Sequence, residues 1–215
     1  MFLVLCIVVF FKIFINRLNL LFMKKLFFYS FFLLILCFVG CDNQTGSTEN
    51  EYPIPDGAVG LKALTSQYNT GENMGYSNAS HSFLLMFATE ECEVIEGSAF
   101  GNGGVLVLEL CSESADNLLP AEGIYPILDM APIEDGMIIG GFDIAMGVPF
   151  GSYMWNMVDD EFVDWSLITG GAIEIKRGKT ADELEFFMYV VFEDGREENY
   201  YYGGKLLITD MSVEF

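Results

Sequence analysis

Downstream of about Gly60, apolar residues recur at every second position or in short unbroken runs, which is the period of a strand and not of a helix. The most regular stretch is Leu184 to Glu193. Leu184, Phe186, Met188, Val190 and Phe192 fall on one side, and Glu185, Phe187, Tyr189, Val191 and Glu193 on the other. One side is wholly apolar and the other is polar only at its ends, as expected of a central strand. Ser82 to Thr89 and Gly104 to Cys111 are too short, and too rich in aromatic or β-branched residues, for helices. The Gly97 to Gly104 cluster between them predicts a hairpin with a long loop. Gly123 to Ile127 reads as an edge or a strand start, because Pro126 removes a ladder donor. Met137 to Ile144 and Ser152 to Met157 follow, with Gly140, Gly141, Gly147 and Gly151 at bends or bulges. Ala172 to Ile175 precedes the Leu184 run. Asp194-Gly195 then predicts a tight two-residue turn with positive φ angles into Glu197 to Tyr202, and Lys205 to Thr209 closes the sheet. About eight to ten antiparallel strands are implied, so residues 60–215 are expected to form a single all-β domain, a sandwich or a meander barrel.

The first forty residues carry another pattern. Met23, Lys24 and Lys25 form a basic start before the apolar run Leu26 to Val39, the arrangement of a cleaved secretory signal. Translation is expected to begin at Met23. Residues 1–22 then form an upstream extension, which Lys12 and Arg17 interrupt before it reaches the roughly 20 apolar residues of a membrane span. The alternative is that Met1 to Val39 is a membrane hairpin or anchor. Phe38, Val39, Gly40 and Cys41 resemble the lipobox of bacterial lipoproteins, with Phe38 where leucine is usual. The resemblance implies cleavage after Gly40 and acylation of Cys41. Residues 41–59 would then be a tether: Asp42 to Glu51 is too polar to bury much surface, and Tyr52 to Gly57 closes it. Two or more acyl chains give stable attachment to a bilayer. The expected location is the cell envelope, lipid-anchored, at the outer membrane or cell surface rather than the inner membrane.

Leu119 to Tyr125, Thr169 to Ile175, Asp194-Gly195 and Tyr202-Gly203-Gly204 together resemble surface lipoproteins of Bacteroidetes-type bacteria. The resemblance covers most of the domain, implies a fold and a location, and carries over no catalytic residue.

Charge narrows the range of partners. Four of the ten Lys and Arg (Lys12, Arg17, Lys24, Lys25) precede Cys41 and none of the 31 Asp and Glu does, so the balance beyond Gly40 is −25. Such a surface repels phosphate backbones and anionic headgroups, which argues against nucleic-acid binding and against electrostatic docking on a membrane. Cys6 and Cys37 leave with the signal and Cys41 takes lipid. Cys92 and Cys111 remain, a pair that an exported domain can oxidise to a disulfide or bury as two separate thiols.

Candidate chemistry is sparse. His81 is the single histidine and stands at a strand entrance, a poor start for a catalytic triad or a multi-histidine metal site. Gly101, Asn102, Gly103 and Gly104 lack the Lys and Ser or Thr of a phosphate loop. No catalytic residue and no cofactor is expected. Asp159, Asp160, Glu161 and Asp164 are the densest acidic group, readable as hard oxygen ligands for calcium or as a solvated hairpin tip. Tyr153, Trp155 and Trp165 combine flat aromatic faces with nearby carboxylates, the needs of a sugar-binding surface; their alternative is core packing. Tyr200, Tyr201 and Tyr202 alternate across a strand, which leaves at least one for the surface. The leading expectation is a non-enzymatic binding or structural module for a glycan or an envelope protein. The alternatives are a lipocalin-like barrel enclosing an apolar ligand against Phe186, Met188 and Phe192, and a hydrolase using carboxylates alone.

Overall fold

The computed structural model describes residues 52–89, 91–95, 98–129, 132–144 and 148–212. The signal segment, Cys41 and the polar part of the tether lie outside the described residues.

The described chain forms strands and turns with no helix. The first strands are β1 (Val59–Ala63), β2 (Thr65–Thr70), β3 (His81–Thr89), β4 (Cys92–Ile95), β5 (Ser98–Gly101) and β6 (Gly103–Ser112). Next come β7 (Ala115–Asp116), β8 (Leu119–Pro120), β9 (Gly123–Leu128), β10 (Met137–Ile139), β11 (Phe142–Ile144) and β12 (Val148–Phe150). The last are β13 (Tyr153–Val158), β14 (Glu161–Arg177), β15 (Glu183–Phe192), β16 (Glu197–Lys205) and β17 (Leu207–Asp210). Eleven of them make one sheet that closes on itself. Following the pairings from β3 through β6, β13, β14, β15, β16 and β1 returns to β3. At the other end β10 and β9 take the place of β13 between β6 and β14, while β2 and β17 continue β1 and β16.

The all-β expectation holds, and the barrel alternative describes the closure. The strands are not all antiparallel, however. β1 runs parallel to β16, β2 to β17, and β9 to β10. The first two pairings form the seam where the two ends of the sheet meet. Closing a barrel requires its last edges to find each other, and the chain directions there happen to agree.

Alternation fills the interior. Phe83, Leu85 and Phe87 of β3, Leu106, Leu108 and Leu110 of β6, and Leu184, Phe186, Met188, Val190 and Phe192 of β15 share one packed cluster with Tyr200 and Tyr202 of β16. Phe87 meets Phe186 edge-on at 5.4 Å between ring centroids and Tyr202 at 5.2 Å. Phe186, Met188 and Phe192, the residues expected to line a ligand cavity, are packed among these side chains and essentially without exposure.

Two turns differ from expectation. At Asp194-Gly195 only Gly195 takes a positive φ (82°), and Phe192 N–H donates to the Arg196 carbonyl around it, so the loop is wider than a two-residue turn. Tight two-residue turns with both φ angles positive occur instead at Asp159-Asp160, at 52° and 68°, joining β13 to β14, and at Asn117-Leu118, at 54° and 61°, joining β7 to β8. Aspartate tolerates this region better than most residues because its carboxylate bonds locally.

Candidate functional site

The outer wall of the barrel carries the candidate residues. β13 lies between β6 and the first half of β14, and its outward positions are Tyr153, Trp155 and Met157. Trp155 stands directly opposite Trp165, and Tyr153 opposite Leu167. A bulge after Asn156 pairs Met157 with Phe162, skipping Val163, so Phe162 joins Trp165 on the outer face. The result is a ladder of rings. Tyr153 and Trp155 have centroids 6.1 Å apart, Trp155 meets Phe162 edge-on at 6.2 Å, and Phe162 stacks on Trp165 at 5.3 Å with planes 24° apart. Tyr153, Trp155 and Trp165 are partly exposed, and Phe162 is 43% exposed. The structure thus brings all three expected aromatics together and adds Phe162.

The β4–β5 hairpin lies over the adjoining outer wall, where Val94 and Ala99 pack with Cys92, Val105 and Val107 beside the foot of the ladder. It is braced to the β13–β14 turn. Asp160 N–H donates to the Gly101 carbonyl (3.1 Å), Gly101 N–H to Asp160 Oδ1 (2.5 Å), and Asp159 N–H to Asn102 Oδ1 (3.0 Å). These bonds hold two hairpins as one unit at the upper end of the barrel, which locks the orientation of the rings between them.

The metal reading of Asp159, Asp160, Glu161 and Asp164 is corrected by the same geometry. Among the described residues no three His, Cys, Asp or Glu side chains group to hold an ion. Asp160 spends its carboxylate on the backbone of Gly101, and Asp164 accepts from Asn156 Nδ2 at 2.6 Å on the other face of the hairpin from the tryptophans. The disulfide reading is corrected as well: Cys92 and Cys111 are free thiols buried in separate clusters. Cys92 opens β4 with its side chain turned into the cluster beneath the hairpin and Sγ 3.3 Å from the Asn102 carbonyl; Cys111 packs with Ala79, Met137 and Ile139. Burial pushes the Cys111 thiol up to about 12. Tyr200, Tyr201 and Tyr202 are all buried, against the expectation of an exposed one. Tyr201 faces outward but is covered by Phe187, at 4.9 Å, and bonds Glu185. His81 opens β3 with Nδ1 2.9 Å from the Tyr68 hydroxyl, a pairing at a strand end.

One residue next to the ladder was not singled out by sequence. Glu109 lies on the outer face of β6, two positions beyond Val107, which pairs with Tyr153. It is only 4% exposed and accepts a short hydrogen bond from the Tyr76 hydroxyl. Burial pushes its carboxyl above the usual range, against the opposing effect of the Tyr76 bond. Burial first, then the Glu109 charge, pushes the Tyr153 hydroxyl up to about 12. The available signal was a lone Glu inside the apolar run Gly104 to Cys111.

A raised carboxyl stabilises the fold fully below its unfolded value, and the benefit is lost as pH rises through the folded one. Glu109→Gln keeps an acceptor for Tyr76 and removes the buried charge. Relative to the wild type, this variant is expected to gain urea resistance as pH is raised above 4.5, the ordinary value of the group. Equal midpoint shifts in both proteins across that range would refute the assignment.

Buried carboxylates do not converge. The two among the described residues, Glu109 and Glu183, sit on β6 and β15, which are not neighbours in the sheet, and each is bonded to a tyrosine. No family model, no curated protein sequence and no solved structure matches the chain, so its function is argued from this geometry alone.

Proposed function

We propose that the chain is a lipid-anchored envelope protein whose barrel is a non-enzymatic binding module, with the ladder Tyr153, Trp155, Phe162 and Trp165 as its contact surface for a glycan. The observation that carries this reading is the ladder itself: four aromatic rings in successive contact on the outside of a barrel whose interior is packed with side chains. Sugar rings present C–H faces that stack on aromatic rings, and hydroxyls that need polar partners nearby. The Tyr153 hydroxyl and the indole N–H groups of Trp155 and Trp165 are polar groups that the ladder itself carries. The packed interior supports a surface site over an enclosed apolar ligand. The two buried carboxylates, on strands that are not neighbours and each bonded to a tyrosine, support binding over hydrolysis by a buried acid pair. The anchor rests on the signal-like segment and on Cys41, and the outer membrane or cell surface is the proposed site of display.

The test uses glycan arrays probed with the full chain. The protein has two tryptophans and both belong to the ladder, so intrinsic fluorescence reports directly on the site. A bound glycan is expected to shift that fluorescence, and Trp165→Ala to weaken binding about tenfold, the equivalent of 1.4 kcal/mol for one lost stacking partner. An array without a hit, with fluorescence unmoved by any sugar, overturns the glycan reading. Mass spectrometry of native material with an unmodified Cys41 overturns the anchor.

A further inference from the structure

Tyr52 is the first described residue, directly after the polar part of the tether, and it is docked. It is 7% exposed. Its hydroxyl donates to Glu183 Oε2 at 2.9 Å and accepts from Lys179 N–H at 2.5 Å, and Lys179 Nζ lies 4.2 Å over its ring. Two glycines make the socket. A Cβ on Gly203 would stand 2.6 Å from the Tyr52 ring, and one on Gly178 would stand 2.3 Å from its hydroxyl. Glu183 is held below its usual range first by the Tyr52 bond, and also accepts from Thr180 N–H. The turn between β14 and β15 and the end of β16 thus grip one aromatic side chain next to the tether.

The ladder lies at the other end of the same strand. Trp165 and Arg177 are both on β14 and twelve residues apart, or about 40 Å of strand. The basic residues divide the same way. Of the six Lys and Arg beyond Gly40, Lys176, Arg177, Lys179 and Lys205 stand at the socket end. Three of them pair with carboxylates there, Lys176 with Glu174, Arg177 with Glu122 and Asp116, and Lys205 with Asp182. The β13–β14 tip carries Asp159, Asp160, Glu161 and Asp164 and no basic residue.

Resting on the anchored reading above, we infer that Tyr52 is a clasp that fixes where the lipid tether leaves the barrel, so that the socket end faces the bilayer and the ladder is held out toward ligands in the surrounding medium. Only the ten residues Asp42 to Glu51 separate Cys41 from Tyr52 in the sequence, so the socket is the part of the barrel nearest the anchor along the chain. Repulsion between the acidic tip and anionic headgroups turns the ladder outward. The ligand class follows: a glycan free in the medium or on another surface, not a headgroup of the membrane that carries the protein.

The two tryptophans make this testable in the natively lipidated full chain on vesicles of phosphatidylcholine and phosphatidylglycerol containing a headgroup-nitroxide lipid. The wild type is expected to float with the vesicles while its tryptophan fluorescence is nearly unquenched. Tyr52→Ala, which frees the tether, is expected to float equally and to be quenched at least about twofold more, because the exit point is no longer fixed. Hydrogen exchange at the Lys179 amide is expected to speed up in Tyr52→Ala and also in Tyr52→Phe, which removes only the hydroxyl. A floating wild type with strongly quenched tryptophans overturns the orientation alone. Unchanged quenching and unchanged Lys179 exchange in Tyr52→Ala overturn the clasp. A chain that does not float overturns the anchor, and this inference with it.

Discussion

Phe186→Ala is expected to lower the stability of the barrel by about 3 to 5 kcal/mol, the usual cost of emptying a fully buried phenylalanine site. Phe186 is at 0% exposure, with Phe87 at 5.4 Å and Tyr202 at 6.2 Å between ring centroids. Those rings belong to β3 and β16, strands that are themselves held by β1 at the seam, so they cannot collapse into the void without breaking sheet hydrogen bonds. Partial relaxation leaves a cavity, and the cavity adds to the lost transfer energy. The neighbouring Phe187 is an internal control. It points outward and is half-buried, covering Tyr201 under the Lys176 ammonium, and Phe187→Ala is expected to cost about 1 kcal/mol. Urea unfolding followed by tryptophan fluorescence measures both. Against a total of about 5 to 15 kcal/mol for a typical domain, the first variant loses a large share and the second does not. Equal midpoints for the two would mean that the interior is not packed as described.

Gly171→Ala is the second large effect, expected at about 3 kcal/mol or more. β14 changes partners here. Along one edge it pairs with β13 up to Leu167 and then with β9 from Ala172, and along the other it pairs with β15 from Ile168, with a bulge at Thr169. Gly171 has φ 115°, and a Cβ would stand 2.0 Å from the Tyr189 carbonyl oxygen. Strain at such a φ costs about 1 to 3 kcal/mol for any other residue, and a backbone oxygen cannot move aside as a side chain can. The β14–β15 ladder must open locally. Gly195→Ala isolates the strain alone, because its φ is 82° but nothing lies within 4 Å of the added carbon; about 1 kcal/mol is expected there. Thermal melts of the two variants separate collision from conformational strain, and equal losses would remove the packing argument.

Much of the strand inventory was readable because each strand of a barrel faces a dry interior on one side. That constraint imprints period two on Leu184 to Glu193, whereas Ser82 to Thr89 and Gly104 to Cys111 read as short apolar runs because much of their outer faces is covered too; the three became β15, β3 and β6 nearly residue for residue. β14 was read short, as Ala172 to Ile175, because its first half, Glu161 to Ser166, is polar or exposed and pairs only outside the main core. Met137 to Ile144 was read as one strand and is two, parted at Gly140 and Gly141. A Cβ on Gly141 would stand 2.1 Å from the Ser152 carbonyl. The aromatic site was half legible: alternation placed Tyr153 and Trp155 on one face, but Phe162 reached Trp165 only through a bulge that no local residue announces. Glu109 and Tyr76 are 33 residues apart, and nothing in either neighbourhood encodes their meeting.

Local chemistry by itself determined the all-β character, the inward residues of the long strands and the strong acidity beyond Gly40, since each depends on residue type and on spacing within a few positions. Tertiary structure alone decided the closure of the sheet through parallel seams, the separation of Cys92 from Cys111, the burial of three successive tyrosines and the socket that takes Tyr52. Each of those is a contact between segments distant in sequence, and its energy comes from burial and backbone complementarity that exist only once the barrel has closed.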